Sequence, residues 1–448
     1  MKILITNIVA LNAGDAAILN AMMNQMRAAF GEDTKFIVYD SYGEGVSRYY
    51  PDVTFRKLLY FNFGSYRIKL LGRKLRSARL FGAVDRARFH FGLWCLKHNL
   101  QFITEKVLTK VELRDVIEYN SADLIISSGG TYLVENYSLS HRLFDYKLSQ
   151  YLGRPLIFFT QSLGPFSTPS IRRTLARVFN NSILILVRDR QSFDNLVDLG
   201  VKNSNIHIAA DAAFALSDPV AIEAAKNERR NLDGPLKIAI SVREWRHFKA
   251  IDPTGGMHRY QEALRALTVH LVERYNAKIT YLSTCQGMPE YWTDDSKIAW
   301  RVVESLPEGV KGSVIVDSDF HHPVDLAEML KGYDLVIATR MHMAILALGA
   351  GIPVVPIAYE FKMHELFKRL GQGRWVQDLE SITGDSLIEA VDSFLDSMPQ
   401  IRGTLFAAVQ KERESALESA GLVKKAFNQW QQSKRLRKDL RSRQRVEA

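Results

Sequence analysis

The stretch Asp334-Leu-Val-Ile-Ala-Thr-Arg-Met-His-Met-Ala-Ile-Leu-Ala-Leu-Gly-Ala-Gly-Ile-Pro-Val-Val-Pro-Ile-Ala-Tyr359 constrains the fold more than any other. Its uncharged run from Met341 to Tyr359 has the length of a membrane span, since about 20 apolar residues cross a bilayer as a helix. The interior argues against that reading. Gly349, Gly351 and Pro353 cluster where a continuous helix would break, and Val354 and Val355 then favour extended backbone. Leu335 to Ala338 reads as a short buried strand, so the segment becomes strand, Arg-Met-His, helix, glycine turn, strand. That is one βαβ unit of a parallel sheet. In such sheets ligands bind beyond the carboxyl ends of strands, against the first turn of the next helix. Arg340 and His342 therefore stand where an anion would sit.

The same alternation runs through the rest of the chain. Lys2 to Val9, Lys35 to Tyr39, Asp123 to Ser127, Leu156 to Gln161 and Ile183 to Val187 read as one series of strands. Leu236 to Arg243, Lys278 to Leu282, Ser313 to Val316, Leu335 to Ala338 and Val354 to Ala358 read as a second. Between them Ala212 to Pro235 is polar and ends Asn-Leu-Asp-Gly-Pro, as a linker would. The expected fold is α/β: two Rossmann-like domains, 1–215 and 216–430, facing a cleft lined by the strand ends of both. Helices from about residue 384 brace the two, and 431–448 is a basic tail. With 448 residues and 47% hydrophobic content the chain can bury two such cores.

Lys2 to Leu11 could be taken for a signal peptide, but Asn7 interrupts it and Asp15 follows, so a buried first strand is the better reading. Cys95 and Cys285 lie far apart and match no metal spacing, which suits a reducing compartment and makes zinc unexpected. The expected location is the cytoplasm.

Net charge is +10, and its distribution is uneven. Residues 56–98 carry eleven Lys or Arg against Asp85, and residues 431–448 carry seven against Asp439 and Glu447, which leaves the remainder at −5. In 56–98 the basic residues alternate with Leu58, Tyr60, Phe61, Leu70, Phe89 and Trp94, among others. Such a mixture suits either helices covering a sheet or an interfacial segment lying among anionic head groups at the inner face of the membrane. No nucleic-acid recognition motif accompanies it.

Five constellations carry chemistry. Asn12-Ala-Gly14-Asp15 joins strand to helix, with Gly allowing close backbone approach and Asp15 suited to helix capping. Ser127-Ser-Gly129-Gly130-Thr-Tyr132 is a small-residue turn whose amides could cradle a phosphate or sugar, or simply form a tight turn. Gln161, before Gly164-Pro165, could bond a hydroxyl-rich ligand. Arg188-Asp189-Arg190 leaves an apolar strand, where arginines invite an anion and a surface ion pair is the plainer alternative. Last come Arg340 and His342, with Lys362 beyond them: the arginine and the helix start would hold a dianion, and the imidazole could move a proton near neutral pH. No metal-binding cluster is visible.

Together these motifs resemble the polysaccharide pyruvyltransferase family. The resemblance runs through Asn12–Asp15, Ser128-Gly-Gly130, Gln161–Pro165, Arg188-Asp189, Ser192, Asp211–Phe214, Ser241-Val-Arg243, Arg340-Met341-His342, Gly351–Pro353, Tyr359 and Lys362. It implies two domains like those of GT-B glycosyltransferases, with phosphoenolpyruvate as donor and no cofactor. The acceptor it implies is a sugar of a growing polysaccharide or its lipid-linked oligosaccharide precursor, and the products are a pyruvate ketal and phosphate. It assigns Arg188 and the Arg340–His342 unit to the donor; Met341, Lys362, Gly129 and Gly130 are further donor-binding candidates, and Asn12, Gly14, Gln161 and Arg243 are candidates for the acceptor or cleft. His342 is the expected general acid, with Asp15 either general base or cap. A nucleotide-sugar glycosyltransferase of the same architecture is the main rival, and a non-catalytic membrane-associated scaffold of polysaccharide assembly is another.

Overall fold

A computed structural model describes residues 1–62, 78–135, 137–227, 234–248 and 252–446 of the chain. It divides into two compact units. The first comprises Met1–Val9, Met23–Ile208 and Ser419–Ala448, and the second Ala10–Met22 and Ala209–Glu418. A single cut at 215/216 is thus too simple. The start of the helix Ala13–Phe30 belongs with the second unit, and the long helix Gly384–Val446 returns to the first.

The first unit is built on β1 (Lys2–Ile8), β2 (Lys35–Asp40), β3 (Thr54–Lys57), β4 (Leu124–Ser127), β5 (Gly130–Leu133), β6 (Leu156–Leu163), β7 (Leu184–Val187) and β8 (Ile206–Ile208). The order is β3-β2-β1-β4-β6-β7-β8, with β5 added against β6. All pairings are parallel. Because helices cover parallel sheets on both faces, the central strands are continuous apolar runs: every residue of β4, β6 and β7 is buried. Leu4, Tyr39, Phe89, Ile125, Phe158 and Ile185 belong to one core.

Two strand ends in this sheet are irregular. The register of β1 shifts between Ile5 and Ile8, where Asn7 has φ 62°, and that of β6 shifts between Phe158 and Gln161, where Thr160 has φ 45°. Positive φ is uncommon outside glycine and rare for a β-branched residue, and such bulges re-aim side chains beside binding sites. The strand order reverses between β1 and β4, which makes their carboxyl ends the topological switch point, the usual ligand position in open α/β sheets.

The second unit holds β9 (Lys237–Ser241), β10 (Lys278–Tyr281), β11 (Val314–Val316), β12 (Leu335–Ala338), β13 (Val354–Ala358) and β14 (Gln377–Asp378), in the order β11-β10-β9-β12-β13-β14. Its switch point lies between β9 and β12, where Ala338 pairs with Ser241. Arg340 and His342 follow directly from β12.

Two sequence expectations need amending. Gly130–Leu133 is a strand and not a turn: Gly130, with φ 129°, and Leu133 pair with Gln161 and Leu163 of β6, with a register shift between them. The expected linker contains a 3-10 turn, Ala212–Leu216, and a helix, Pro219–Asn227, while its residues 228–233 lie outside the described ones. Residues 63–77 of the basic segment and 447–448 of the tail also lie outside them. Among the described residues no helix is long and apolar enough to cross a membrane.

Candidate active site

On the second unit the helix Met341–Gly349 starts immediately after β12, with Arg340 at its N-cap. The Arg340 guanidinium is 7% exposed and engages Asp295 through two bonds, Nε to Oδ2 at 2.8 Å and Nη2 to Oδ1 at 2.6 Å. Asp295 is fully buried and also accepts from the Ser283 hydroxyl at 2.6 Å. Burial alone would lower the Arg340 pKa, but the Asp295 carboxylate more than offsets it and keeps the guanidinium charged. Arg340 is thus an oriented half of an ion pair, where the sequence suggested a free cation. Its Nη1 has no hydrogen-bond partner among the described residues. Cys285 lies in the same field, and burial pushes its thiol up to about 12, so it is no thiolate nucleophile. Met341 is buried, and what it offers an anion is its backbone amide at the helix start.

His342 is held from two sides. Its Nε2 lies 3.6 Å from Oδ2 of Asp211, too long for a hydrogen bond but close for a carboxylate, and has no bonded partner of its own. Asp211 is anchored in turn, since its Oδ1 accepts the Ala213 amide at 2.9 Å. The other edge of the ring meets Gly14, where a Cβ would stand 2.5 Å from Nδ1 and 2.7 Å from the His342 Cβ. Asn12 Oδ1 accepts the Gly14 amide at 2.9 Å at the helix start, and Asp15 lies buried in the first turn. Ala13 donates to the Thr284 carbonyl at 2.9 Å, which ties this helix start to the second unit.

Beside them Arg243 bonds the Tyr359 hydroxyl and lies over two rings, 4.1 Å from the centre of Tyr359 and 5.2 Å from that of Trp245. Lys362 pairs with Glu360 at 3.0 Å and sits 5.5 Å from the Tyr359 ring. Aromatic faces hold a cation without cancelling its charge, unlike the carboxylates that hold Arg340 and Lys362.

The first unit carries the remaining candidates. Arg188 is buried at the end of β7, donating from Nε to Ser162 Oγ at 2.8 Å and from Nη2 to Thr131 Oγ1 at 2.7 Å. Asp189 is no surface partner for it: it caps the helix Arg190–Asp198 and accepts from Ser162 at 2.6 Å. Gln161 turns its Nε2 to the carbonyls of Ser127, at 3.2 Å, and Ser128, while its buried Oε1 has no hydrogen-bond partner among the described residues. Ser128 and Gly129 join β4 to β5, which Gly130 begins. Among the described residues no group of His, Cys, Asp or Glu converges in a way that would hold a metal ion.

A family model for polysaccharide pyruvyl transferase matches residues 12–360. The chain belongs to that family. It is 27% identical over 296 residues to the amylovoran biosynthesis protein AmsJ of Erwinia amylovora, a match covering 65% of this chain and 70% of AmsJ. The protein is accordingly a pyruvyltransferase of polysaccharide biosynthesis. In fold it is similar to a UDP-N-acetylglucosamine 2-epimerase described as putative, from Listeria monocytogenes, with TM-score 0.55, 12% identity, and 96% and 97% of the two chains covered. It is also similar to Anabaena HepE in complex with UDP-glucose, with TM-score 0.52, 13% identity, and 97% and 99% covered. At these identities the likeness establishes the GT-B-like α/β fold alone.

In this pyruvyltransferase the sequence reading missed two residues with clear positions. Asp295 looked like an ordinary helix-start acid in Asp294-Asp295-Ser296, and Asp211 stood in a family motif without a role. The fit of Gly14 against His342 gives a direct test. Gly14→Ala meets the root of the His342 side chain, which cannot swing aside as a flexible tip could. It is expected to lower turnover about 100-fold by displacing the imidazole, the scale of a 1 Å misplacement. Steady-state kinetics beside a melting curve checks this, and unchanged turnover would show that the ring is not in use.

Proposed function

We propose that the protein transfers pyruvate from phosphoenolpyruvate to two hydroxyls of one acceptor sugar, forming a cyclic ketal and releasing phosphate. The observation that carries this reading is the Arg340-Met341-His342 unit at the switch point of the second sheet, with Asp211 and Gly14 fixing the imidazole. Phosphoenolpyruvate bears a carboxylate and a phosphate on one carbon. Arg340 Nη1, the helix amides and Arg243 offer donors to such a dianion. His342 gives its proton to the methylene carbon, which becomes the methyl group. The first sugar hydroxyl bonds to the neighbouring carbon and loses its proton; the second bonds to the same carbon, giving its proton back to His342, as the C–O bond to phosphate breaks and the phosphate leaves with the electron pair. Asp15, on the same helix start as Gly14, is our candidate for accepting the hydroxyl proton. Arg188, on the first unit, is assigned to the donor by the resemblance to the family.

Phosphorus NMR tests the reading. Acceptor-dependent release of inorganic phosphate from phosphoenolpyruvate supports it. Consumption of a uridine or guanosine diphosphate sugar, with phosphoenolpyruvate untouched, overturns it.

The acceptor in this proposal is lipid-linked, met at the inner face of the membrane. Support comes from the packed helices Ala78–Lys97 and Gln101–Val107, which expose Phe91, Trp94, Phe102 and Ile103, with Lys97 and Lys106 among them. The exposed face thus extends past residue 98, the limit taken from sequence. Some basic residues of that segment are spent internally: Arg88 binds Asp85 and Glu112, and Arg56 binds Glu118. A cavity of about 420 Å³ lined by Tyr60, His90, Leu93, Phe144, Lys147 and Tyr151 borders the first helix, with room for an apolar chain and a lysine for its phosphate. Sedimentation with vesicles is expected to show binding to phosphatidylglycerol-rich membranes that falls as salt rises, and Trp94→Ser with Phe102→Ser to abolish it. Equal binding to neutral vesicles, or none, would remove the membrane contact.

A further inference from the structure

Arg142 plays no part in the site described so far, yet it occupies the place in the first sheet that a ligand-binding group would. It lies in the first turn of the helix Ser140–Tyr151 and is 7% exposed. Its Nε donates to Asn7 Oδ1 at 2.5 Å, and its Nη1 to the Ser138 carbonyl at 2.8 Å. Its Cζ sits 5.0 Å from the centre of the Tyr132 ring. These partners are all neutral. Among the described residues no carboxylate lies within ion-pair distance, and Nη2 has no hydrogen-bond partner. Arg142 thus differs from Arg340, Arg88 and Arg56, each of which is matched to an acid.

The location adds a second, independent observation. Asn7 ends β1 with positive φ, and its Nδ2 reaches Ser127 Oγ at 3.2 Å and the Ser128 carbonyl at 3.4 Å at the end of β4. These two ends are the switch point of the sheet. Ser128 Oγ there is fully buried and without a partner. A buried, uncompensated guanidinium is costly, and burial pulls its pKa down. Asp145, one turn along the helix, relieves the charge only in part: it draws the guanidinium pKa up, but burial outweighs it, pushing the Asp145 carboxyl up to about 7, and Thr6 Oγ1 donates to it at 2.7 Å.

We propose that Arg142, with Asn7 and Ser128, forms an oxyanion-binding site at the switch point of the first sheet, taking a carboxylate or phosphate borne by a substrate. The site stands whether or not phosphoenolpyruvate is the donor. An incoming oxyanion supplies the missing charge and finds Nη2 and the Ser128 hydroxyl unengaged.

The test is thermal melting of the full chain, wild type against Arg142→Met, with inorganic phosphate, phosphoenolpyruvate or glucuronate. Wild type is expected to gain Tm with at least one of the three. R142M should melt at the wild-type temperature or higher without ligand, because a strained charge has been removed. Its apparent affinity for the stabilising anion should fall roughly 10- to 100-fold, the scale of losing hydrogen bonds to a charged group. R142K, which keeps the charge and loses the fork, should show a smaller loss. A response to glucuronate alone assigns the site to an acidic sugar; a response to phosphate and phosphoenolpyruvate assigns it to a phosphate. The proposal is overturned if no anion stabilises wild type, or if R142M keeps the full response. It is equally overturned if R142M and R142K both melt well below wild type, since Arg142 would then be holding the fold together.

Discussion

Replacing His342 by alanine is expected to lower turnover about 10²- to 10⁴-fold, the range for loss of a general acid, while leaving phosphoenolpyruvate bound. The separation follows from the geometry. The groups proposed above to hold the anion are Arg340, whose orientation comes from Asp295, and Arg243, which lies over Tyr359 and Trp245. None of these depends on the His342 side chain. The ring is instead positioned by Asp211 Oδ2 at 3.6 Å and by the space that Gly14 leaves. Acceptor-dependent phosphate release gives kcat, and equilibrium binding of phosphoenolpyruvate gives affinity. A raised KM with unchanged kcat would mean that the imidazole binds the donor and does not protonate it. Asp211→Asn is a companion variant: it preserves the helix-capping oxygen and removes the charge facing Nε2, so it should lower kcat and leave donor affinity in place.

The parallel sheets were legible because their central strands are uninterrupted apolar runs. Leu335–Ala338 and Val354–Ala358 can be read to the residue, since both faces are covered and no polar position blurs the limits. Of the edge and added strands, β11 was read as Ser313 to Val316, but β3, β5 and β14 were not. β3 and β14 are short and partly exposed, and β5 begins inside a Ser-Gly-Gly run whose composition speaks for a turn. The site divides along the same line. Arg340 and His342 are adjacent in sequence and follow a strand, so a local rule finds them. Asp295 lies 45 residues from the arginine it holds, in a segment that reads as helix capping. Gln161 shows what sequence leaves undivided: its nitrogen closes the gap between β4 and β6, while its oxygen stays without a partner among the described residues. Arg142 has no signal at all in sequence. Only burial without a counter-charge sets it apart from the basic residues around it.

Asp295→Ala is expected to destabilise the second unit by about 3–5 kcal/mol, the cost of leaving one member of a buried ion pair behind. Asp295 is fully buried and Arg340 nearly so, and the two bonds between them, at 2.8 and 2.6 Å, are well aligned for a bidentate pair. Without the carboxylate the guanidinium has no charged partner in place, and Ser283 Oγ loses its short bond to Asp295. Activity should fall along with stability, so the single variant cannot separate folding from catalysis. The double replacement Asp295→Leu with Arg340→Met does. Exchanging a buried ion pair for apolar side chains of similar volume is often neutral or stabilising, so chemical denaturation should find the double variant near wild type and well above D295A. If Arg340 binds the donor, phosphoenolpyruvate will still fail to stabilise this refolded core. If the arginine serves only the fold, donor binding returns with stability, and the anion site of the second unit must then be rebuilt around Arg243 and the helix amides.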